Sequence, residues 1–486
     1  MSVRIEADVA DVVGPVPRRL FGSFVEHLGR AVYTGIHEPG HSTSDGRGFR
    51  GDVLELVREL GPTVVRYPGG NFVSAYRWED GVGPDRPVRL DPAWHSVESN
   101  RFGLHEFAAW AEAAGVEVMY AVNLGTRGIQ EAADVLEYCN HPGGTELSER
   151  RRANGAGRPF GFRLWCLGNE MDGPWQIGHK TADEYGRLAA ETARVMRMID
   201  PDVELVVAGS SNAEMPTFGE WERTVLRHTA GLVDHISLHA YYQELDGDTD
   251  SYLASAAALD AYIRTTAGII DEVGSRVGIS VDEWNVWDQR RWNSTDQPQL
   301  VAGGWQEHPR LLEDTYDLTD AVVVGSLLSS LLRNVDRVTM ANQAQLVNVI
   351  APIRTEPGGA AWRQPTFHPF RLVSSLARGV SLRLGFEGDR IRTAQHSEVD
   401  LVDVAATVDE SVGAVFLTNR ATTTSTDVEI RLRGARFGVP AAETLTATGP
   451  VPLPGATATS DAKGTVITAT LPPLSWTVLR LAAPDA

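Results

Sequence analysis

The chain is poor in cysteine, in long apolar runs and in the features of an export signal. Only Cys139 and Cys166 occur in its 486 residues, so a disulfide framework is excluded. No apolar run reaches the roughly 20 residues that a membrane-spanning helix needs. Residues 1–22 interleave charged with apolar side chains and lack the continuous apolar stretch of a signal peptide. We therefore expect a cytoplasmic protein that has no contact with a membrane.

Positive charge is also scarce. Lysine and arginine total 44 against 64 aspartates and glutamates, which gives a formal net charge of −20. Such a surface argues against nucleic acid or another polyanion as partner. The sequence has no HExxH motif and no tight cluster of histidines and aspartates, so no metal site is predicted. With 42% hydrophobic residues, the chain is expected to fold into one large domain and a smaller one.

Eight short, β-rich apolar runs are present, with amphipathic stretches between them. Repeated βα units predict a parallel sheet, and eight such units predict a closed (β/α)₈ TIM barrel, here over residues 19–372. Thr181 is the expected N-cap of a helix over 181–199, and another helix is expected over 104–115. The eight runs are 19–27, 62–70, 116–124, 163–170, 204–211, 235–242, 278–285 and 337–344.

The pattern changes near residue 373 to alternating Val, Thr and Leu with Gly and Pro between the runs. This is typical of an all-β sandwich, and we predict a jelly-roll-like domain over 373–486. Residues 3–9 also alternate, so the segment 1–18 is expected to pair with that sandwich rather than with the barrel.

Two glutamates lie where predicted barrel strands end. Glu170 is the last residue of the fourth run, in "LWCLGNEMDGPWQ", and Glu283 lies near the end of the seventh, in "GISVDEWNVW". Carboxyl ends of barrel strands carry active sites, and two convergent carboxylates are what glycoside hydrolysis needs, one as proton donor and one as nucleophile. A structural ion pair at the barrel rim is the alternative for either residue alone. A metal held by the pair and His239 is a weaker alternative.

Other polar and aromatic residues are expected near this pair. Asn169 can donate to a sugar hydroxyl, and Tyr241 can reach Glu283 and favour its ionised form, although Tyr242 could equally be the inward residue. His27, His179 and His239 are expected to be structural. Some tryptophans could present flat faces to sugar rings and the rest would be core; the set is Trp94, Trp175, Trp284 and Trp287.

Long strings of the sequence resemble the α-L-arabinofuranosidases of glycoside hydrolase family 51. They cover nearly the whole barrel, and the loop after Trp287 and the residues before Ala344 depart from the family's pattern. The strings are "FGSFVEHLGRAVYTGI" (21–36), "VRYPGGNFVSAYRWEDGVGP" (65–84), "EYCNHPGG" (137–144), "WCLGNEMDGPWQIGHK" (165–180), "VDEWNVW" (281–287) and "AQLVNVIAPI" (344–353).

The resemblance implies a role for each matching residue. Glu170 would be the acid/base and Glu283 the nucleophile of a retaining enzyme. Trp94 and Trp287 would be walls for the leaving group. The residues implied to hold the furanose ring are Glu26, Asn71, Asn169, Tyr241 and Gln345.

The resemblance also implies an exo-acting α-L-arabinofuranosidase that needs no cofactor. Its substrates would be arabino- or arabinoxylo-oligosaccharides, and its assembly a homo-oligomer, for which a hexamer is one candidate. Two alternatives stay open: another retaining glycosidase on the same frame, such as a β-xylosidase or endoglucanase, and a carbohydrate-binding protein that has lost catalysis.

Overall fold

A computed structural model describes residues 2–483. Its centre is a closed barrel of eight parallel strands that neighbour one another in chain order. Each strand falls within one of the eight predicted runs or extends it by one residue, so the predicted barrel is confirmed. The barrel strands, in order, are Gly22–Phe24, Val64–Tyr67, Glu117–Val122, Leu164–Leu167, Glu204–Val207, His235–Tyr242, Gly278–Val286 and Val338–Gln343.

Helices surround the barrel. The predicted cap is present, since the Thr181 side chain accepts a hydrogen bond from the backbone N–H of Glu184. No helix within residues 2–483 combines the length and the apolar character needed to cross a bilayer. The α-helices are Gly51–Leu60, Leu104–Ala114, Ile129–Asn140, Glu146–Ala153, Ala182–Ile199, Glu220–His228, Thr249–Leu253, Ser255–Glu272, Gln289–Arg291, Gln297–Ala302, Leu318–Arg333 and Phe367–Leu376.

Shorter elements complete the barrel's loops. A three-stranded sheet joins the loop after the second strand to the loop after the seventh, because Gln306–Glu307 pairs with Ser96–Glu98. The short helices are Arg18–Leu20, Asn71–Ser74, Trp78–Gly81 and the π-helical Trp292–Asp296, and the short strands are Arg89–Asp91, Ser96–Glu98, Gln306–Glu307, Ile353–Thr355 and Ala361–Arg363.

The C-terminal part is a β-domain built on one ten-stranded sheet. Ser2–Pro15 lies inside this sheet, antiparallel to Val380–Glu387 and parallel to Thr426–Arg433. The other strands of the sheet are Val402–Asp409, Val412–Asn419, Gly438–Thr446, Gly449–Pro452, Thr457–Asp461, Gly464–Leu471 and Ser475–Ala482, and Arg390–Thr393 pairs with Ser397–Asp400 as a separate hairpin.

The sheet folds over an apolar core of its own, which includes Ile5, Val415 and Ile467. Gly438–Thr446, near one end of the sheet, contacts Thr457–Asp461 at the other end, as in a sandwich. The boundaries 1–18, 19–372 and 373–486 as separate domains stay a prediction; Met1 and residues 484–486 lie outside the described residues.

The barrel and the β-domain meet along the helix Leu318–Arg333. This helix is buried along nearly its whole length because the barrel and the β-domain cover it from both sides. Trp476 of the β-domain packs so closely on Gly325 that a Cβ there would lie 2.2 Å from Cδ1 of the indole. Ser326 adds a hydrogen bond to Asp403 of 2.7 Å.

Candidate active site

Glu170 lies three residues beyond the fourth barrel strand, which ends earlier than predicted. Gly168 has a φ of 84°, and Glu170 itself has a φ of 45°, in the left-handed region that non-glycine residues rarely adopt. The chain therefore leaves the strand direction at Gly168 and turns the glutamate into the barrel mouth. Such backbone strain is concentrated at functional sites.

Both carboxylate oxygens of Glu170 have partners. The indole N–H of Trp175 donates to Oε2 over 2.6 Å, and Nδ1 of His239 lies 2.8 Å from Oε1. Trp175 was expected to offer an apolar face; in the structure it also acts as a hydrogen-bond donor that orients Glu170.

Glu283 lies near the carboxyl end of the seventh strand. Nη1 of Arg66 donates to its Oε1 over 2.6 Å, and the Tyr241 hydroxyl donates to its Oε2 over 2.8 Å. Burial raises the pKa of Glu283, while the charges of His239 and Arg66 and the hydrogen bond from Tyr241 oppose that rise. These three groups are what favour the ionised carboxylate that a nucleophile requires.

The two carboxylates face one another. One carboxylate oxygen of Glu170, one of Glu283 and a ring nitrogen of His239 all lie within 4.8 Å of one another. An approach this close is compatible with a retaining glycosidase, whose carboxyl groups are about 5–5.5 Å apart. The same three residues are the one group within residues 2–483 that could hold a metal. The Arg66 guanidinium beside Glu283 would repel a divalent cation there.

Asn169 is fixed next to the pair. Its Oδ1 accepts from Nη2 of Arg66 over 2.7 Å, and its Nδ2 donates weakly to Gln176 over 3.4 Å. Gln176 is held in turn by Ser74. The amide group of Asn169 is therefore oriented with its N–H₂ available on the side away from the arginine.

Glu26 is a third buried carboxyl group of the site. It accepts hydrogen bonds from the backbone N–H of Phe72 (2.9 Å), the Trp94 indole (2.8 Å) and Nε2 of Gln345 (3.1 Å). Burial raises the pKa of Glu26 to about 8, and the charge of Glu283 adds to the rise. A protonated Glu26 can donate to a sugar hydroxyl, which an ionised one cannot.

Gly70 brings the backbone into this pocket. A Cβ on Gly70 would lie 2.9 Å from Oε1 of Glu283 and 3.5 Å from both Asn169 Nδ2 and Glu26 Oε2. The space above these three polar groups is thus open because residue 70 has no side chain. Asn71, half-buried, begins the short helix that follows.

The aromatic residues divide into site and core. Tyr241, rather than Tyr242, reaches Glu283, and the Trp287 ring meets the Tyr241 ring edge-on at 5.2 Å between centroids. Trp94 is mostly buried against Glu26, and Trp284 is fully buried in the barrel core. Trp287 and Trp94 therefore flank the pocket, whereas Trp284 cannot face a sugar.

Sequence reasoning missed Arg66 and Asp282, and it did not predict that His239 would orient the pair. Arg66 and Asp282 are buried inside barrel strands, and His239, expected to be structural, has Nδ1 at 2.8 Å from Glu170 and Nε2 at 3.1 Å from Asp282. Burial alone would lower the pKa of His239, but the carboxylates of Glu283, Asp282 and Glu170 outweigh it and raise that pKa well above its usual value. A charged residue within an apolar strand was the signal that could have identified Arg66.

We expect Arg66→Met to destabilise the fold because it removes one of the two cations, Arg66 and His239, that contact the buried carboxylates of Glu283 and Asp282. Breaking a buried ion pair from one side typically costs about 3–5 kcal/mol. Denaturant unfolding at pH 7 measures the loss, and the deficit should shrink as the pH falls, because protonation neutralises the stranded carboxylates. Arg152→Met, which removes an exposed partner of Glu149, is the control and should change stability little. Equal effects of the two substitutions would contradict the assigned role.

Two family models and several curated proteins match the chain. Residues 56–259 match the family model "Alpha-L-arabinofuranosidase 1 domain", and residues 282–475 match "Alpha-L-arabinofuranosidase C-terminal domain". An intracellular exo-α-(1→5)-L-arabinofuranosidase of Streptomyces lividans is 53% identical over 99% of this chain and 76% of its own length. An exo-α-(1→6)-L-arabinofuranosidase of Bifidobacterium longum is 52% identical over 98% of this chain and 97% of its own length.

Solved structures extend the likeness to the whole fold. A family 51 α-L-arabinofuranosidase from Bifidobacterium longum superposes with a TM-score of 0.91 at 42% identity, over 98% of this chain and 99% of that one. The α-L-arabinofuranosidase of Thermotoga maritima, solved with arabinose, superposes with a TM-score of 0.85 at 32% identity, over 99% of this chain and 100% of that one. With its barrel, its facing glutamates and these relatives, the chain belongs to the α-L-arabinofuranosidases of glycoside hydrolase family 51.

Proposed function

We propose that the protein is a retaining, exo-acting α-L-arabinofuranosidase that releases terminal arabinofuranose from arabinose-containing oligosaccharides. The observation that carries the proposal is the pair Glu170 and Glu283, whose oxygens approach within 4.8 Å at the carboxyl ends of the fourth and seventh strands. The exo mode is supported by the relatives in Streptomyces and Bifidobacterium, both described as exo-arabinofuranosidases.

The first step transfers arabinose to the enzyme. Glu170, protonated, gives its proton to the glycosidic oxygen as the bond to the anomeric carbon breaks, and Glu283 forms a covalent bond to that carbon. Glu26, Asn71, Asn169 and Gln345 are proposed to hold the furanose hydroxyls. The hydrogen bonds from Tyr241 and Arg66 to Glu283 weaken as its negative charge is consumed in the covalent bond. They strengthen again as that charge returns, so they favour departure of the carboxylate in the next step.

The second step releases the sugar. Glu170, now ionised, takes a proton from water, which attacks the anomeric carbon and frees Glu283. Two inversions restore the α configuration. The hydrogen bonds from His239 and Trp175 keep Glu170 in one orientation through both steps.

Hydrolysis of linkage-defined arabino- and arabinoxylo-oligosaccharides tests the substrate class. The two curated relatives act, by their names, on (1→5) and (1→6) bonds, so both linkages belong in the panel with arabinofuranosyl-decorated xylo-oligosaccharides. Release of free arabinose, one unit at a time from the non-reducing end, is expected.

Comparison of an aryl arabinofuranoside with an aryl xyloside tests the alternative of a β-xylosidase: a faster rate on the xyloside would overturn the proposal. A folded protein that turns over no aryl glycoside would favour the alternative of a carbohydrate-binding protein.

We predict that chelation leaves activity unchanged. The proposed steps need carboxylates, an amide and a guanidinium, and the Arg66 charge already stabilises Glu283. The rate on an aryl arabinofuranoside is measured after EDTA treatment and gel filtration, with and without added Ca²⁺, Mn²⁺ or Zn²⁺. Activity lost with EDTA and restored by one of these ions would place a metal at Glu170, His239 and Glu283.

The location and assembly of the protein are also proposals. The relatives described as intracellular support a cytoplasmic enzyme. We propose a homo-oligomer, with a hexamer as the candidate, and light scattering coupled to size-exclusion chromatography measures its mass. A mass of one chain, 52.8 kDa, would reject the oligomer.

A further inference from the structure

A second cavity lies beside the catalytic pocket. It encloses about 230 Å³ on the carboxyl side of the sixth and seventh barrel strands, and its lining includes Tyr242 and Val286, the last residues of those strands. Trp287 belongs to both places: its ring contacts Tyr241, the partner of Glu283, and it also lines the cavity. A substrate that leaves the catalytic pocket along Trp287 would therefore meet this cavity next.

The lining combines aromatic rings with an excess of carboxylates. Tyr252, Tyr316 and Trp287 contribute rings, and Arg291 is the one cation among the lining residues. The Arg291 guanidinium is itself paired with Asp296 at 3.2 Å, outside the lining. The lining carboxylates are Glu244, Asp288, Asp314, Asp317 and Asp320. Such a cavity disfavours anions and suits a neutral ligand that donates hydrogen bonds and has an apolar face to pack on a ring.

Part of this hydrogen-bonding capacity is unused. Nε1 of Trp287 is buried and has no hydrogen-bond partner among residues 2–483. Burial raises the pKa of Asp314, and burial raises that of Asp320 to about 6. A buried donor without a partner costs free energy.

The arrangement does not suit a cation. Ca²⁺ needs several oxygens at about 2.3–2.6 Å from one point. Within the described residues, no three of these carboxylates bring their oxygens within 4.8 Å of one another. Asp317 and Asp320 are also engaged as partners of backbone N–H groups at the start of the helix Leu318–Arg333. Sugar hydroxyls, spread over the width of a ring, match dispersed carboxylates better.

We propose that this cavity is a distal subsite for the leaving group, which takes a neutral pentose unit one position beyond the sugar attached to the scissile bond. The inference rests on the proposed arabinofuranosidase activity and adds to it a preference for substrates of three or more units. The sugar next to the scissile bond would pack on Trp287. The hydroxyls of the following unit would donate hydrogen bonds to Asp314 and the neighbouring carboxylates.

Chain-length kinetics test the proposal. The kcat/KM values are measured on an aryl arabinofuranoside and on a disaccharide and trisaccharide of the linkage the enzyme cleaves. The wild type should prefer the trisaccharide over the disaccharide by about tenfold, the factor expected from one or two additional hydrogen bonds. Thr319→Trp, which fills the cavity from its rim, should reduce that ratio to about one and leave the aryl substrate unaffected. Thr265→Trp, on an exposed helix face, is the control and should keep the wild-type ratio.

Asp314→Asn provides a second variant that preserves shape and should reduce the ratio in the same direction. A wild-type ratio near one, or a ratio that both variants leave unchanged, would overturn the subsite. A saturable rise in melting temperature with Ca²⁺ that Asp314→Asn abolishes, without a chain-length effect, would overturn it in favour of a cation site. Failure of the wild type to hydrolyse the aryl arabinofuranoside would instead reject the proposed function itself.

Discussion

Glu283→Ala is expected to lose turnover on every substrate, activated or natural. Without this carboxylate the anomeric carbon has no nucleophile, and the quality of the leaving group cannot compensate. The loss should exceed the range of about 10²–10⁴-fold that is typical of general acid–base catalysis. Initial rates on an aryl arabinofuranoside and on a natural oligosaccharide measure it.

The fold of this variant needs a separate check, because Arg66 would lose its partner at 2.6 Å. Arg66 keeps Asn169 and Asp282 as neighbours, so the variant should remain folded, which circular dichroism and thermal unfolding can show. Glu307→Gln, which alters an exposed carboxylate, is the matched control and should retain activity. A folded Glu283→Ala variant that keeps a substantial rate on the aryl substrate would contradict the nucleophile assignment.

Glu170→Ala should separate the two tasks of the acid/base. An aryl leaving group of low pKa scarcely needs a proton, so the variant should still form the covalent intermediate from such a substrate. A natural sugar leaves as a poor alkoxide and depends on that proton, so activity on oligosaccharides should fall by about 10²–10⁴-fold. Pre-steady-state release of the phenol, compared with the steady-state rate, distinguishes the first step from the second.

The second step of the same variant should respond to azide. No base remains to activate water, but azide needs none and can enter the space that the carboxyl group leaves. Azide should therefore accelerate the variant on activated substrates and give an arabinosyl azide of α configuration, since two inversions restore the original one. A β product would indicate direct displacement. Equal losses on activated and natural substrates, with no azide effect, would remove Glu170 from this role.

The barrel was predictable because each strand is a short apolar run between helical stretches. The residues at which the strands end were harder to predict. The fourth run was predicted to continue to residue 170, but the strand ends at Leu167, since Gly168 and Glu170 adopt positive φ and leave the sheet. Periodicity of apolar residues carries no information about such a backbone turn. The strand Ser2–Pro15 was recognisable by its alternation, whereas its parallel pairing with Thr426–Arg433 depends on contacts distant in sequence.

The proposed catalytic pair could be named from the sequence, but its supporting charges could not. Asp282 and Glu283 are successive residues that would ordinarily point to opposite faces of a strand. Register irregularities in this segment relative to both neighbouring strands let Arg66 approach both carboxylates. From the sequence, His239 was considered as a structural histidine and, as a weaker alternative, as a metal ligand beside the two glutamates. Its position between Glu170 and Asp282 follows from the closure of the barrel, which no local pattern encodes.

The most direct test of a covalent intermediate on Glu283 is to trap it. A fluoro-arabinosyl reagent with an activated leaving group forms the glycosyl-enzyme and slows its hydrolysis, so the adduct survives proteolysis and mass spectrometry. We predict one label per chain, on the carboxyl group of Glu283 within the peptide that contains "VDEWNVW". A label on Glu170, on Glu26 or on any other carboxylate, or inactivation without a covalent adduct, would contradict the account.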